Sequence, residues 1–311
     1  MLACRRYVLL WILPAALIAL SVPIDSRGQI PSVLPGQPSA GSSSFFNLDG
    51  MNYVITGFDR FKPESKYRGN FQYKDQIKFN ISVKYNILDL HRTDEEEISY
   101  SEVSGFYFHY RQKSLWNIYD GSSPFYDNNY MPGVSLNLRA GDFQWTYNRL
   151  DSLGIPQSWN PSLGIGVSHE SNGRDTRPSL LESPNRSWNR AFVGVGVGAP
   201  RSTPVSGGVT LWHSFGLADE NSDMDRFAGR GQIDFYLAPD GFGDVSAHVS
   251  SQILGKSFFT NVEVNLLYPL GKLIDRFRPS FMIQFFHGYG ENMLNYGEKH
   301  TNVRVGIALI R

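Results

Sequence analysis

The stretch QIKFNISVKYNI, residues 76–87, decides the fold class. Its apolar side chains fall at every second position: Ile77, Phe79, Ile81, Val83, Tyr85 and Ile87. Polar or charged residues occupy the positions between them. Because successive side chains of a β-strand point to opposite faces, this alternation predicts a strand with one apolar and one polar face. At twelve residues, the run is long enough for a tilted strand that crosses a membrane.

Comparable segments recur along the rest of the chain, separated by residues typical of turns. The set comprises about twelve: 51–58, 75–87, 103–116, 131–138, 161–171, 189–198, 207–215, 226–237, 243–252, 257–268, 278–289 and 301–310. We find no convincing helical periodicity beyond residue 44. An even number of antiparallel strands closes into a barrel without a free edge. The sequence therefore predicts an all-β fold, a twelve-stranded antiparallel barrel.

The N-terminus indicates which way the apolar faces point. Arg5 and Arg6 precede an apolar run from Tyr7 to Val22, and polar residues follow it. This order is typical of a secretory signal peptide. The alternative is a membrane-anchoring helix, but 16 residues interrupted by Pro14 are short for a span. An exported barrel directs its apolar faces toward lipid, so we expect a transmembrane β-barrel.

We expect the chain to be organised in three parts. Residues 1–28 form the signal peptide, without a clear small-residue motif to mark the cleavage point. Residues 29–44, rich in Pro, Gly and Ser, form a flexible leader. Residues 45–311 form the barrel. Cys4 is the only cysteine and precedes the apolar run, so the processed chain has no thiol for catalysis or metal binding. The formal net charge of zero gives no indication of a nucleic-acid partner.

The stretch LGIGVSHESNG, residues 163–173, carries two polar residues on an apolar face. His169 and Ser171 share the parity of the apolar residues before them, so both side chains point outward. On the next segment, which returns from the same end, Asn189 shares the parity of three valines. A histidine can accept the proton of a serine while a third group orients its ring. Spacing alone discriminates poorly, because an H-x-S at a rim is more often an interfacial pair.

Several stretches together resemble the outer-membrane phospholipase A family. HESNGR (residues 169–174) followed by RSWNR (186–190) resembles its active-site signature. YRQKSLW (110–116) and SSPFYDNNYMP (122–132) resemble its third strand and the loop after it. LYPL (267–270) and GYGENMLNY (288–296) resemble blocks near its C-terminus. The blocks follow the family's order over most of the mature chain, and the family's twelve-stranded barrel matches our count of segments.

This resemblance implies a phospholipase that hydrolyses acyl ester bonds of phospholipids, with A1, A2 and lysophospholipase activity. Ser171 corresponds to the nucleophile, His169 to the general base and Asn189 to the residue that orients the base. The resemblance also implies a homodimer that is active with calcium bound and is embedded in the bacterial outer membrane. Membrane phospholipids are the expected substrate, with clefts for their acyl chains between the paired barrels.

The resemblance implies calcium ligands by motif position. They are Ser122 of the partner subunit, the backbone oxygen of Arg174, Asn185 and Glu220. Asn185 stands where the family has a serine hydroxyl, in a loop several residues longer than the family's. An amide oxygen is still a hard ligand for calcium, and Ser183 is an alternative.

Further expectations concern the two walls of the barrel. Gln112 corresponds to a polar residue that hydrogen-bonds across the family's dimer within the membrane. Four cations are predicted to point into the lumen and pair with acids such as Asp234 and Glu263: Lys78, Lys84, Arg226 and Arg230. Five tryptophans are expected to include anchors at the headgroup level: Trp116, Trp145, Trp159, Trp188 and Trp212.

Two other classes of protein remain open from the residues alone. A passive porin or adhesion barrel has the same alternation but does not need H-x-S-N-G at its rim. A secreted β-sandwich also alternates, but it would not fractionate with membranes or shift on unheated gels. Release of fatty acid from detergent-dispersed phospholipid separates the hydrolase from both.

Overall fold

The computed structural model describes residues 46–48, 50–59, 76–90, 104–117, 125–155, 159, 161–174, 184–198, 205–238, 245–271 and 279–310. The strands are β1 (Phe46–Leu48), β2 (Met51–Asp59), β3 (Gln76–Asp89), β4 (Gly105–Trp116), β5 (Phe125–Arg139), β6 (Ser162–Ser171), β7 (Ser187–Val197), β8 (Val205–Phe215), β9 (Gly231–Leu237), β10 (Ser246–Ile253), β11 (Asn261–Pro269), β12 (Pro279–Gly288) and β13 (His300–Ile310). The helices are α1 (Gln144–Ser152) and α2 (Met224–Ala228), with 3-10 turns at Ala140–Asp142 and Asp219–Asn221.

Strands β2 to β13 form a closed antiparallel barrel. Each pairs with its neighbours in sequence, and β13 pairs with β2 to close the ring. The short β1 pairs with β3, Leu48 opposite Val83, where β2 no longer reaches. It therefore extends the first barrel strand beyond a break at Gly50, whose φ of +67° is a conformation that glycine adopts without strain. The predicted twelve-stranded antiparallel barrel is confirmed.

The alternation of the sequence becomes the two walls of this barrel. On β3, Ile81 is 47% exposed, whereas its neighbours Asn80 and Ser82 are buried. On β7, Val193 and Val195 are exposed while Trp188 is buried. An apolar outer wall and a polar inner wall are the pattern of a transmembrane β-barrel. Within the described residues, no helix is long and apolar enough to cross a membrane.

Buried ion pairs fill part of the lumen. Lys78 Nζ lies 2.9 Å from Glu291 Oε1 and 3.5 Å from Glu263 Oε2, and Arg304 Nη1 lies 3.3 Å from Glu291 Oε1. Buried charges are tolerated when they are paired in this way. The predicted pairing of Lys78 with Glu263 is confirmed. Lys84 is buried as expected, with its ammonium 5.4 Å from the centre of the Tyr107 ring.

The inward orientation predicted for Arg226 and Arg230 is wrong. Residue 226 lies in helix α2, because the predicted segment 226–237 becomes a strand only at Gly231. Arg230 has an exposed side chain, and its guanidinium binds Asp225 Oδ2 at 2.7 Å. A short helix in the loop interrupts the alternation, so strand parity does not apply to these two arginines.

Two other expectations about the elements need correction. Helix α1 was not expected; its Trp145 is 76% exposed, and a helix that buries little shows no apolar stripe. Thr146 Oγ1 holds its first turn by donating to the carbonyl of Phe143 at 2.8 Å.

Strand β5 begins at Phe125, so most of the stretch 122–132, expected as a loop, is strand. Asp127 and Asn129 are buried there, and these polar residues obscured the alternation.

The tryptophans divide between the two walls. Trp188 and Trp212 are 1% and 9% exposed and belong to an inner cluster, so these two of the five tryptophans are not belt anchors. Trp116 stacks on Phe125 with ring centres 5.6 Å apart, and Phe125 also contacts Phe79 at 6.0 Å. This outward group, at the end of β4 and the start of β5, has the composition of an aromatic belt.

The loop between β12 and β13 closes one mouth of the barrel. Residues 291–296 are all buried. Asp127 Oδ2, near the start of β5, accepts the backbone N–H groups of Met293 at 2.9 Å and Leu294 at 3.0 Å. Tyr296 donates its hydroxyl to Asp223 at 2.5 Å. We call residues 289–299 the plug loop; it fills the mouth at the end where β6 stops.

Glu291 of the plug loop makes the stability of the barrel depend on pH. Burial by itself raises the pKa of Glu291, but Lys78 and Arg304 attract its carboxylate and hold the pKa well below its usual range. Such a group stabilises the fold above its unfolded pKa of about 4.3, and the contribution declines as the pH falls below that value. We expect unfolding in detergent to need less guanidinium at about pH 3 than at about pH 7, so that the midpoint concentration is lower in acid.

The matched variant for this prediction is Glu291→Gln. It leaves Lys78 and Arg304 without their shared anion, so we expect a lower midpoint at neutral pH. The further drop on acidification should then be smaller than in the wild type. Equal acid sensitivity of the two proteins would show that another carboxylate is responsible.

Candidate active site

Strands β6 and β7 bring three predicted residues together at one end of the outer wall. His169 lies directly opposite Asn189, and Ser171 lies opposite Ser187. Side chains opposed in this way have Cβ atoms about 4.5–5.5 Å apart. Glu170, between His169 and Ser171, is buried in the lumen, so the two flanking residues share the outer face.

The contact between His169 and Asn189 fixes the tautomer of the imidazole. His169 Nδ1 lies 2.9 Å from Asn189 Oδ1. An amide oxygen only accepts hydrogen bonds, so Nδ1 carries the proton and Nε2 is left as an acceptor. Asn189 Nδ2 donates to the backbone oxygen of Phe215 at 3.3 Å, which turns Oδ1 toward the histidine. The arrangement suits a general base held by a neutral orienting group.

Strand β5 flanks Ser171 on its other side. Tyr130 lies directly opposite Ser171, and Gln112 on β4 lies opposite Tyr130. Opposed residues share a face, so Gln112 is on the outer wall at the row of Ser171. Tyr110 donates its hydroxyl to Gln112 Oε1 at 2.9 Å. Gly173 has φ +64°, and a Cβ there would lie 3.0 Å from the Tyr130 ring, so the turn after Ser171 requires glycine.

An open groove of about 560 Å³ runs along the outer wall next to His169 and Asn189. Its outward lining includes Val134, Leu136, Ile165, Val167, Ala191, Val193, Leu211 and His213. Ala191 lies between Val167 and His213 in the row next to His169 and Asn189, and its small side chain keeps the groove open. Sequence reasoning did not include His213 in the site, although its parity with Leu211 on β8 places it on this wall.

The predicted ligands Arg174 and Asn185 lie in the loop between β6 and β7. Asn172 holds the two ends of this loop together: its Nδ2 donates to the Pro184 carbonyl at 2.8 Å, and its Oδ1 accepts the Arg186 N–H at 3.0 Å. Arg174 and Asn185 therefore lie close to Asn172 and to the end of β6. Ser122 and Ser183 lie outside the described residues.

Glu220 reaches the same end of the barrel through the loop after β8. The backbone oxygen of Ser187 accepts the Ala218 N–H at 2.9 Å and the side-chain amide of Asn221 at 3.1 Å. Glu220, between these two residues, is thereby held near Ser187, the strand partner of Ser171.

The chemistry of this donor set suits calcium. Within the described part of the chain, no group of three or more His, Cys, Asp and Glu side chains is arranged to hold a metal ion. The predicted ligands here are instead a backbone carbonyl, a side-chain amide and one carboxylate. All three are hard oxygen donors, which calcium prefers.

The fold and the site define a transmembrane β-barrel with a candidate Ser-His-Asn hydrolase centre on its outer wall. A sequence profile of the Phospholipase A1 family matches residues 51–309. The chain therefore belongs to the phospholipase A1 family, and the resemblance inferred from its motifs is confirmed.

Individual relatives are distant but cover most of the barrel. Phospholipase A1 of Klebsiella pneumoniae is 26% identical over 247 residues, 76% of this chain and 71% of that protein. Phospholipase A1 of Escherichia coli K12 is 27% identical over 247 residues, with 76% and 70% covered.

Solved structures share the fold. Outer membrane phospholipase A from Escherichia coli superposes with a TM-score of 0.64 at 23% identity, covering 86% of this chain and 93% of that one. The Salmonella typhi outer membrane phospholipase dimer with bound calcium has a TM-score of 0.65 at 24% identity, with the same coverage.

Proposed function

We propose that this protein is an outer-membrane phospholipase that hydrolyses both acyl esters of phospholipids and the remaining ester of lysophospholipids. The observation that carries the proposal is the 2.9 Å contact between His169 Nδ1 and Asn189 Oδ1, with Ser171 on the same lipid-facing wall. Membership of the phospholipase A1 family supports the reaction class.

In the proposed mechanism, Ser171 Oγ attacks the ester carbonyl while His169 Nε2 accepts its proton. The tetrahedral intermediate collapses to an acyl-serine and expels the glycerol alkoxide, which takes the proton from His169. A water molecule, deprotonated by the same nitrogen, then attacks the acyl-serine; the fatty acid is released, and Ser171 Oγ takes the proton back from His169. Asn189 keeps the imidazole in the required tautomer through both half-reactions.

The outward position of the triad suits a substrate that is itself the surrounding lipid. A phospholipid diffusing in the bilayer reaches Ser171 without leaving the membrane. The apolar groove between Val134, Ala191 and Leu211 lies where an acyl chain would extend from the ester toward the membrane interior. Its apolar lining matches the hydrocarbon of the acyl chain, which passes from the bilayer to the groove without entering water.

The proposal extends to calcium and a homodimer. Arg174, Asn185 and Glu220 would hold the ion together with Ser122 of the partner subunit. When bound, calcium supplies positive charge that stabilises the developing oxyanion. Calcium takes six to eight oxygen ligands, which favours a site shared between subunits. A related protein, the Salmonella typhi phospholipase, is a dimer with bound calcium, and Gln112 would form a contact across such a dimer.

We also propose export to the bacterial outer membrane. The signal peptide at residues 1–28 and the leader at 29–44 would precede the barrel domain, as the sequence predicts. Relatives that are outer membrane phospholipases support this location.

The direct test is fatty-acid release from detergent-dispersed phospholipid by the refolded protein in the presence of calcium. We expect release by the wild type and none by His169→Ala, with both proteins showing the heat-dependent gel shift of a folded barrel. A folded wild type that releases no fatty acid but permits solute flux into liposomes would instead be a passive barrel.

Asn189→Ala should weaken turnover rather than abolish it. Loss of one neutral hydrogen bond costs about 1–1.5 kcal/mol, which corresponds to about a tenfold lower kcat. Thr301→Ala is the matched control, because it removes a 2.8 Å contact to another outward imidazole, His287, and should leave kcat unchanged. An effect of Asn189→Ala as large as that of His169→Ala would mean that Asn189 does more than orient the ring.

A further inference from the structure

A buried cluster lies on the lumen side of the wall, directly behind the proposed triad. Glu170 points inward between His169 and Ser171 and is 7% exposed. Its Oε2 accepts a hydrogen bond from Trp188 Nε1 at 2.9 Å and forms an ion pair with Arg190 Nη2 at 3.1 Å. One carboxylate oxygen on β6 thus binds two side chains of β7.

The partners of Glu170 lie on either side of Asn189 along β7. Trp188 and Arg190 point inward, and Asn189 between them points outward. The same three-residue stretches of β6 and β7 therefore carry the inner cluster and the outer triad. A change in the position of β6 relative to β7 would alter both, because each backbone segment supports side chains on both faces.

Arg190 extends this cluster to a third strand. Its guanidinium carbon lies 4.8 Å from the Trp188 ring centre and 5.5 Å from that of Trp212 on β8. Trp212 Nε1 donates to the Gly229 carbonyl at 3.1 Å. A half-buried cation held over two aromatic rings and paired with a carboxylate restrains all three strands on the inner side.

We propose that Glu170 and Arg190 are positioning residues: their ion pair fixes β6 against β7 so that His169 faces Asn189 on the opposite side of the wall. This inference rests on the proposed triad. Neither side chain reaches the outer surface, so any effect on the reaction must pass through the backbone of the two strands.

The barrel offers a matched control for a purely structural role. Glu291 is also buried in an ion pair, with Lys78 at 2.9 Å, but it joins the plug loop to β3 rather than β6 to β7. Glu170→Gln and Glu291→Gln each remove one negative charge without changing the size of the side chain. Both should lower the guanidinium midpoint of unfolding, since each removes a buried anion that attracts a buried cation.

Only Glu170→Gln should alter the chemistry of the folded protein. We expect its kcat to fall about 10- to 100-fold, by analogy with the outer-shell groups that orient metal ligands, with KM changed less than about threefold. The rate at which a sulfonyl fluoride labels Ser171 should fall in parallel. Glu291→Gln should keep the wild-type kcat and labelling rate per folded molecule.

Two Arg190 variants keep the inference testable if Glu170→Gln does not fold. Arg190→Lys retains the charge and should keep kcat within about threefold, whereas Arg190→Gln should lose about as much as Glu170→Gln. Wild-type kcat in Glu170→Gln or in Arg190→Gln would overturn the positioning role. An inactive wild type, or an active Ser171→Ala, would instead overturn the proposed function itself.

Discussion

Ser171→Ala should reduce fatty-acid release to below about 1% of the wild-type rate while the barrel stays folded. In the proposed mechanism Ser171 supplies the oxygen that forms the acyl bond, so neither His169 nor Asn189 can replace it. The substitution removes one hydroxyl from a half-buried position on the outer wall, which costs little stability. A sulfonyl fluoride should label the wild type and leave Ser171→Ala unlabelled.

A second outward serine provides the control for this prediction. Ser187 lies directly opposite Ser171 on β7, and its backbone N–H and carbonyl both bind the Asn221 side chain at 3.1 Å. Ser187→Ala should retain most of the activity and all of the labelling. Loss of labelling in Ser187→Ala together with its retention in Ser171→Ala would show that the nucleophile is Ser187 on β7 and that our mechanism is wrong.

Removing calcium should lower fatty-acid release nearly as much as Ser171→Ala does. It should also dissociate the dimer. If Ser122 of the partner subunit completes the ion's ligands, binding of calcium and association of subunits are reciprocally linked. Analytical ultracentrifugation in detergent should then show a tighter dimer with calcium than with a chelator. Ser122→Ala should weaken both calcium affinity and association.

The loop after β8 offers a matched pair of carboxylates for the same prediction. Glu220→Gln should raise the calcium concentration needed for half-maximal activity, because a charged oxygen ligand becomes a neutral one. Asp219→Asn alters the neighbouring, exposed residue of the same 3-10 turn and should leave that concentration unchanged. A dissociation constant of the dimer that is independent of calcium would exclude the shared calcium site. It would not bear on the proposed Ser-His-Asn triad.

The positions of Ser171, His169 and Asn189 show how much of the candidate site could be predicted from the sequence. His169 and Ser171 were placed on the outer face by parity, because side chains alternate strictly along a strand. Asn189 was placed at the same level because β7 returns from the end of β6. The 2.9 Å contact between His169 and Asn189 agrees with that expectation. Parity would also have placed His213 in the groove, had it been applied to β8.

Residues outside regular strands were predicted less well. Arg226 and Arg230 were assigned inward by extending the alternation of β9 upstream, but α2 occupies residues 224–228. Trp188 was counted among the candidate headgroup anchors by its residue type, whereas its parity on β7 is inward. Residue type and local pattern compete in such cases, and burial against non-local neighbours decides the outcome.

The sequence by itself determined the barrel, its strand number and the wall on which the residues of the clearly alternating strands lie, because a period of two is a local property of an extended chain. Only the tertiary structure decided which buried charges meet. Lys78 and Glu291 are more than two hundred residues apart in sequence, and they pair because the plug loop folds into the mouth near β3. The cluster of Glu170, Trp188 and Arg190 likewise depends on the register of β6 against β7, which non-local backbone pairing sets.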